Sequence, residues 1–179
     1  MASKKILLHI CCGVCAGYPV QYLREQGFEV TGYFYNPNIQ PKNEYEKRFE
    51  NTKKIADILK LPLITHEEKE DIWYKTTKGL ENEKEGGKRC YACFKLRLAK
   101  TFITAEQENF DYFTTTLSVS PYKNSEIIND LGSFIGNQLF FPANFKKKDG
   151  FKKTSLMAEN YGLYRQNYCG CLYSKKELK

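Results

Sequence analysis

The stretch KKILLHICCGVCAGYPVQYLREQG, residues 4–27, decides the fold because a short apolar run passes directly into a segment with helical spacing. The run lacks a helical period and predicts a strand, and the segment after it predicts a helix that ends at Gly27. Cys11, Cys12 and Cys15 lie at the turn between them. Ligands of open α/β sheets bind at this edge, beyond the carboxyl ends of the strands. We therefore expect a site here, where the N–H groups of the helix start lower the pKa of nearby thiols.

Strand and helix patterns continue to alternate along the chain. Runs rich in β-branched and aromatic residues predict four further strands, at residues 28–38, 61–68, 111–121 and 138–144. Apolar residues at helical spacing predict helices at residues 43–60, 71–80, 90–110 and 125–136. Asn43 and Glu46 are placed for a capping box at the start of the first of these helices. The alternation predicts a single α/β domain over residues 1–179, with a mostly parallel, doubly wound sheet.

The composition is that of an ordinary globular chain, with 41% hydrophobic and 27% charged residues among 179. A chain of this length buries a core without disulfides. Because it has no run of about 18 apolar residues and no signal-peptide pattern, we expect a cytoplasmic protein with no membrane partner. The 28 Lys and Arg against 21 Asp and Glu give a net charge of +7, which suits a phosphate backbone but equally a solvated lysine-rich surface.

The seven cysteines need a chemical explanation, because cytosolic reductants keep ordinary thiols reduced and an odd number cannot pair completely. Two C-x-x-C patterns and one C-x-C pattern each bring two sulfurs within reach of a metal. A [4Fe–4S] cluster uses up to four thiolates, so three remain for a second metal. We predict that all seven are metal ligands: Cys11, Cys12, Cys15, Cys90, Cys93, Cys169 and Cys171.

Two other interpretations of the cysteine pattern stay open. Four of the thiols would suffice for a structural zinc site, although dispersed pairs and the adjacent Cys11 and Cys12 are unusual for one tetrahedral ion. A C-x-x-C after a first strand, here Cys12 and Cys15, is also typical of thioredoxin-like redox proteins, but that interpretation leaves five cysteines unexplained. The last two cysteines lie in residues 145–179, a segment with one predicted helix and an irregular tail, which we expect to close over the metal site.

Several long motifs, in one order along nearly the whole chain, resemble those of the epoxyqueuosine reductases of the QueH type. The motifs are LLHICCGVC, YFYNPNIQPKNEYEKR, the stretch from Trp73 to Glu81, GGKRCYACFKLRL, FDYFTTTLSVSPYKN, NFKKKDGF and YRQNYCGCLYS. The first motif departs from the family pattern at Gly13 and Val14, where a small residue and Pro are expected, and some relatives have Asp in place of Cys15.

The resemblance implies an iron–sulfur oxidoreductase that converts epoxyqueuosine to queuosine at the wobble position of certain tRNA anticodons, the final step of queuosine biosynthesis. It also implies a Rossmann-like fold of the adenine nucleotide alpha hydrolase type, a [4Fe–4S] cluster and an additional mononuclear iron. Removing an epoxide oxygen as water takes two electrons and two protons. We therefore expect an electron source beside an oxygen-binding Lewis acid, and, as partners, the tRNA anticodon loop and an external electron donor such as ferredoxin or flavodoxin.

Our starting hypothesis divides the thiols between the two metals. The lone iron, with a position open for the epoxide oxygen, is assigned the catalytic ligands Cys11, Cys15 and Cys169. The cluster is assigned Cys12, Cys90, Cys93 and Cys171.

Six polar residues are candidates for substrate binding: Tyr35, Asn36, Ser118, Ser120, Arg165 and Gln166. The first four lie at the ends of predicted strands, on the rim where ligands bind. The last two precede Cys169 and carry donors suited to a phosphate or a base edge. His9, in the apolar first strand, is more typical of a hydrogen-bonded core residue.

A basic stretch with two aromatic residues precedes the tail and suits an RNA strand with an unstacked base, although a solvated lysine face fits equally. Its residues are Phe145, Lys146, Lys147, Lys148, Phe151, Lys152 and Lys153.

Two competing functions predict different features. A cluster-dependent tRNA thiolation enzyme should carry a Gly-rich loop for ATP phosphates after the first strand, but CCGVC occupies that position. A zinc-stabilised nucleic-acid-binding module predicts a colourless protein that contains zinc and no iron.

Overall fold

A computed structural model describes residues 3–67 and 70–176. In this part of the chain the strands are β1 (Lys4–His9), β2 (Phe28–Phe34), β3 (Leu63–Thr65) and β4 (Tyr112–Thr115). The helices are α1 (Gly17–Glu25), α2 (Lys42–Ile58), α3 (Asp71–Thr77), α4 (Lys88–Gln107), α5 (Ser125–Gly136), α6 (Gly150–Asn160) and α7 (Leu172–Lys176). Short 3-10 turns occur at Val14–Ala16, Thr116–Val119 and Asn137–Leu139. No helix in these residues is long and apolar enough to cross a membrane.

The four strands form one parallel sheet in the order β3-β2-β1-β4. β1 is central, and its residues Ile6, Leu7 and Leu8 have no exposed surface. A parallel strand covered on both faces needs apolar side chains at every position, which explains the uninterrupted apolar run at the start of the chain. This arrangement confirms the predicted α/β fold class.

Helices cover both faces of the sheet. Ile6 and Leu8 point to one face, where they belong to a cluster with side chains of α1, α2 and α6. Leu7 points to the other face and packs with side chains of α4 and α5. Successive residues of a strand face opposite sides, so β1 contributes side chains to both halves of the core.

The functional edge of the sheet lies where the strand order reverses, between β1 and β4. The backbone N–H of Cys11, just after β1, donates to Oγ1 of Thr116, just after β4 (3.1 Å). His9 ties the neighbouring strands together, since its Nε2 donates to the Tyr35 carbonyl (3.1 Å) and its Nδ1 accepts from Oγ1 of Thr115 (2.8 Å). Burial, with the positive charge of Arg97, lowers the pKa of His9 to about 4. His9 is therefore a neutral core residue, as its apolar surroundings in the sequence indicated.

Two local predictions were wrong. Residues 138–144 form only a single parallel bridge, between Phe113 and Phe140, because the 3-10 turn Asn137–Leu139 takes up their first two residues and Pro142 has no N–H to donate. The capping box at Asn43 does not exist, because α2 begins one residue earlier, after Pro41, which makes no side-chain cap. Asn43 thus lies inside the helix. The predicted end of α1 is confirmed, since Gly27 adopts a φ of +84° just after it.

Replacing Asn124 with alanine is expected to lower the free energy of unfolding by about 1 kcal/mol. Its side chain accepts from the N–H groups of Glu126 and Ile127 (2.8 and 3.4 Å) and caps α5. Asn43→Ala is the matched control, because this exposed residue lies within α2, where alanine is the better helix former. Urea unfolding of the three proteins checks this; a larger loss for Asn43→Ala would contradict the assigned caps.

Candidate metal centre

The first thiol group lies at the turn after β1. The Sγ atoms of Cys11, Cys12 and Cys15 all lie within 4.8 Å of one another, with 3.9 Å between Cys11 and Cys12 and 2.9 Å between Cys12 and Cys15. Thiolates on one tetrahedral ion are roughly 3.8 Å apart, given metal–sulfur bonds of about 2.3 Å. Gly13 lets this turn approach α2, because a Cβ there would lie 2.5 Å from the carbonyl oxygen of Asn51. The three sulfurs are therefore close enough together to bind a single metal ion.

The three thiols share their protons unequally. Hydrogen bonds from Cys12 and Cys15, together with Lys123 and Thr116, hold the pKa of Cys11 well below its usual range. The hydrogen bond to Cys11 raises the pKa of Cys12 to about 12, and those to Cys11 and Cys12 raise the pKa of Cys15 well above its usual range. These shifts favour the thiolate form of Cys11 and the thiol forms of Cys12 and Cys15, and binding a metal to all three must release the remaining thiol protons.

The second thiol group brings two distant parts of the chain together. Cys90 and Cys93 lie in the first turns of α4, and with Cys169 and Cys171 of the tail they line a small cavity. Trp73 is fully buried and packs against Cys93 and Cys171. The four thiols of this second group therefore surround one small cavity, apart from the first group.

Arg48 of α2 holds the tail in place. Its Nη1 donates to the Cys169 carbonyl (2.9 Å), its Nη2 to the Tyr168 carbonyl (3.0 Å), and its Nε to Glu44 (2.8 Å). Arg48 is 2% exposed, so these groups are shielded from water. Gly170 follows with a φ of +140°, and a Cβ there would lie 2.9 Å from the Asn38 side chain. This packing sets the position of the last two cysteines.

A larger cavity of about 670 Å³ connects the two thiol groups. Cys11 and Cys15 line it, and Arg97 and Cys169 line both cavities. Burial alone would lower the pKa of Arg97, but the thiols of Cys93, Cys169, Cys11 and Cys90 raise it. The pKa of Lys123 is governed in the same way: burial would lower it, but the thiols of Cys169, Cys11 and Cys15 raise it. The buried Arg97 and the half-buried Lys123 therefore compensate the negative charge that thiolates bring to this region.

Three of the six predicted substrate residues line the larger cavity: Ser120, Arg165 and Gln166. Gln166 also donates through Nε2 to Sγ of Cys12 (2.8 Å). The other three are at most 1% exposed and line neither cavity: Tyr35, Asn36 and Ser118. Their observed contacts are internal, such as that of Asn36 Nδ2 with the Ile10 carbonyl (2.8 Å). A substrate role for these three stays a prediction.

Sequence reasoning missed the charged side chains between the thiols, above all Arg48, Arg97 and Lys123. One signal was available for Arg97, which follows Cys93 by four residues and so lies on the same face of α4. Arg48 and Lys123 are distant in sequence from the cysteines whose surroundings they form, and no local pattern marks them.

Residues 6–177 match the family model described as epoxyqueuosine reductase QueH. The chain belongs to this family. It is 38% identical over 185 residues to the epoxyqueuosine reductase QueH of Streptococcus pyogenes, covering 96% of this chain and 70% of that protein. It is 36% identical over 180 residues to the QueH of Thermotoga maritima, covering 97% and 92% respectively. As a QueH protein it is an oxidoreductase of tRNA processing, acting at the final step of queuosine biosynthesis.

Two solved structures are similar to this QueH protein in fold. The U34-tRNA thiolase NcsA from Methanococcus maripaludis, solved with its [4Fe–4S] cluster, aligns with a TM-score of 0.59 at 15% identity, over 97% of this chain and 62% of that one. A predicted subunit of a tRNA methyltransferase from Methanocaldococcus jannaschii aligns with the same TM-score and identity, over 87% and 74%. Both likenesses agree with the parallel α/β fold described above.

Proposed function

We propose that this QueH protein reduces epoxyqueuosine in tRNA at a metal centre held by all seven of its cysteines. The observation that carries the proposal is that two groups of thiols lie at two cavities, and that Cys169 and Arg97 line both of these cavities. A single structural zinc ion needs four sulfurs around one point and leaves the other thiols unexplained.

The residues of the second group fit a [4Fe–4S] cluster. A [4Fe–4S] cluster with four thiolate ligands carries net negative charge. The buried guanidinium groups of Arg89 and Arg97 line this cavity and bring positive charge to it. Nη2 of Arg97 is buried without a hydrogen-bond partner in the described structure, so it is available to a cluster sulfur. We therefore assign the cluster to Cys90, Cys93, Cys169 and Cys171.

The mononuclear iron is assigned to Cys11, Cys12 and Cys15. This exchanges Cys12 and Cys169 relative to the assignment made from the sequence, because Sγ of Cys12 lies 2.9 Å from that of Cys15 while Cys169 lines the cavity of the second group. Three protein ligands leave a position on the ion for a substrate oxygen, as in catalytic metal sites generally.

When bound, the cluster supplies electrons and the iron supplies a Lewis acid for the epoxide oxygen. The chain's own residues prepare the cavity: Val14, Leu117 and Val119 line it with apolar surface, and Lys123 places a positive charge where an oxygen gains negative charge. Arg165 and Gln166 offer donors to the nucleoside. Two electrons and two protons complete the reaction and release the oxygen as water.

The same proposal covers the chain's organisation and its partners. The chain acts as one domain over residues 1–179, in which residues 145–179 close over the metal site and Arg48 secures their last part. The electron donor is an external protein of the ferredoxin or flavodoxin type. Such a centre needs reduced thiols, which supports a cytoplasmic location.

The deciding experiment uses anaerobically reconstituted protein, a chemical reductant and tRNA that contains epoxyqueuosine. We expect a brown protein with about five irons per chain and, by mass spectrometry, the deoxygenated nucleoside. An intact cluster with no conversion would refute the reductase function. A colourless protein with zinc and no iron would instead support the nucleic-acid-binding module.

Arg97→Gln is expected to shift the midpoint potential of the cluster to more negative values, because loss of a buried positive charge makes an added electron less favourable. Arg97→Lys should shift it less, since the charge is kept. Lys95→Gln is the matched control: it removes a positive charge from an exposed position of the same helix and should leave the potential unchanged. A redox titration followed by electron paramagnetic resonance measures all three. Equal potentials in Arg97→Gln and Lys95→Gln would contradict the proposed role of Arg97.

A further inference from the structure

Two exposed aromatic side chains line the larger cavity. Tyr122, in the loop before α5, is 85% exposed, and Phe151, in the first turn of α6, is 41% exposed. A single exposed aromatic residue is ordinary on a protein surface. Two of them on one cavity, contributed by separate segments of the chain, indicate an interaction surface. We call Tyr122 and Phe151 the aromatic rim.

The backbone beneath the aromatic rim is held in place although its rings are exposed. Nζ of Lys146 donates to the carbonyl oxygens of Lys123 (2.7 Å) and Ser120 (3.4 Å), which joins the Tyr122 loop to the segment that leads into α6. The N–H of Tyr122 donates to Oγ of Ser120 (3.3 Å). Because these contacts order the loop in advance, a ligand that covers the rings does not have to order the backbone.

The charge around the aromatic rim is positive. The charged residues that line the cavity are Arg48, Arg97, Lys123 and Arg165 against Glu85. Exposed lysines lie next to Phe151 in the sequence: Lys147, Lys148 and Lys152. Two lysines of the same stretch have internal contacts, since Lys146 binds the loop carbonyls and Nζ of Lys153 lies over the Tyr18 ring (5.0 Å to its centroid). Lys153 is exposed as well, but it lies over Tyr18, so Lys147, Lys148 and Lys152 are those placed to meet phosphates.

We propose that the aromatic rim stacks the bases on either side of the nucleotide that enters the cavity, and that its occupant is single-stranded RNA. Flat apolar rings surrounded by positive charge are the combination that binds unpaired nucleotides, because every base has a face to stack and every linkage has a phosphate. This inference rests on the proposed function only in naming epoxyqueuosine as the nucleoside that enters. It adds the recognition of neighbouring bases, which the metal centre does not explain.

The test measures RNA affinity directly, so it does not depend on turnover. A fluorescently labelled tRNA anticodon stem-loop is titrated with the iron-loaded protein and its anisotropy recorded. Tyr122→Ala and Phe151→Ala are each expected to weaken binding by roughly 5- to 150-fold, the range for loss of one base–aromatic stack. Tyr122→Trp and Phe151→Tyr should restore affinity. Phe134→Ala is the matched control, because Phe134 is 81% exposed but does not line the cavity, and should leave binding unchanged.

The possible outcomes separate this inference from its rivals. Weakening no greater than that of Phe134→Ala overturns it. Normal RNA affinity with slower reduction only when a ferredoxin is the donor also overturns it, and makes the rim a docking surface for that protein. Wild-type protein that binds the stem-loop through the rim but never deoxygenates it would keep the inference and refute the proposed function.

Discussion

Cys93→Ser is expected to abolish turnover and to remove the cluster absorbance, with iron falling from about five to about one per chain. The reason is that a [4Fe–4S] cluster held by four thiolates loses one of its ligands. Cys12→Ser is expected to keep the cluster spectrum and to lose only about one iron, since Cys12 contacts Cys11 and Cys15 rather than the second group. Iron analysis with Mössbauer spectroscopy of both variants, after identical anaerobic reconstitution, distinguishes the two losses.

Cys169→Ser decides between the two possible partitions of the thiols. We expect it to lose the cluster, as Cys93→Ser does, because Cys169 lines the small cavity with Cys90, Cys93 and Cys171. If Cys169→Ser keeps the cluster while Cys12→Ser loses it, the assignment made from the sequence is right and the present one is wrong. Thermal unfolding of the metal-free variants serves as the control for misfolding.

Arg48→Met is expected to lower the free energy of unfolding by about 3–5 kcal/mol, the usual cost of breaking a buried ion pair by removing one partner. Glu44 would stay buried at 7% exposure without its cation, and the Tyr168 and Cys169 carbonyls would lose their donor. We also expect the cluster content to fall, because the tail that carries two of its ligands is no longer held. Chemical unfolding and iron analysis measure the two effects.

Lys53→Met is the matched control for Arg48→Met. It breaks the Lys53–Glu50 pair of the same helix (2.6 Å), whose side chains are 44% and 67% exposed, and so should cost less than about 1 kcal/mol. Similar losses in the two variants would contradict a special role for Arg48. A strongly destabilised Arg48→Met protein that still loads a full cluster would refute its role in positioning the tail.

Much of the fold followed from local patterns. Residues 4–27 predicted β1, a turn with three cysteines and α1, and the structure has these elements in this order. α5 occupies residues 125–136 as predicted, because Asn124 is a favoured helix cap before an amphipathic stretch. The failures were also local in origin: Asn43 has the right residue type for a cap, but Pro41 already starts the helix. Helix propensity indicates that a helix begins in this region, but it does not decide which of several neighbouring residues is the first.

The candidate site was predictable only in part. Cysteine is a rare residue with few roles in a reducing environment, so the amino-acid types alone indicated metal binding. The strand ends were a weaker guide: Ser120 lines the larger cavity, whereas Ser118, two residues earlier, is buried beneath it and accepts from the N–H of Phe145 (3.5 Å). Which residues of a loop face a cavity depends on what packs behind them, and that is a tertiary property.

By itself, the sequence determined that this chain is a parallel α/β protein with reactive thiols at the carboxyl edge of its first strand, because hydrophobic periodicity and turn chemistry act over a few residues. Only the tertiary structure decided which thiols lie together. Cys169 joins Cys90 and Cys93 because Arg48, 121 residues before it in the sequence, binds its carbonyl group, and Cys12 stays with Cys15 because one tight turn carries both. Contacts across such separations depend on the packing of whole elements, which no short stretch of sequence encodes.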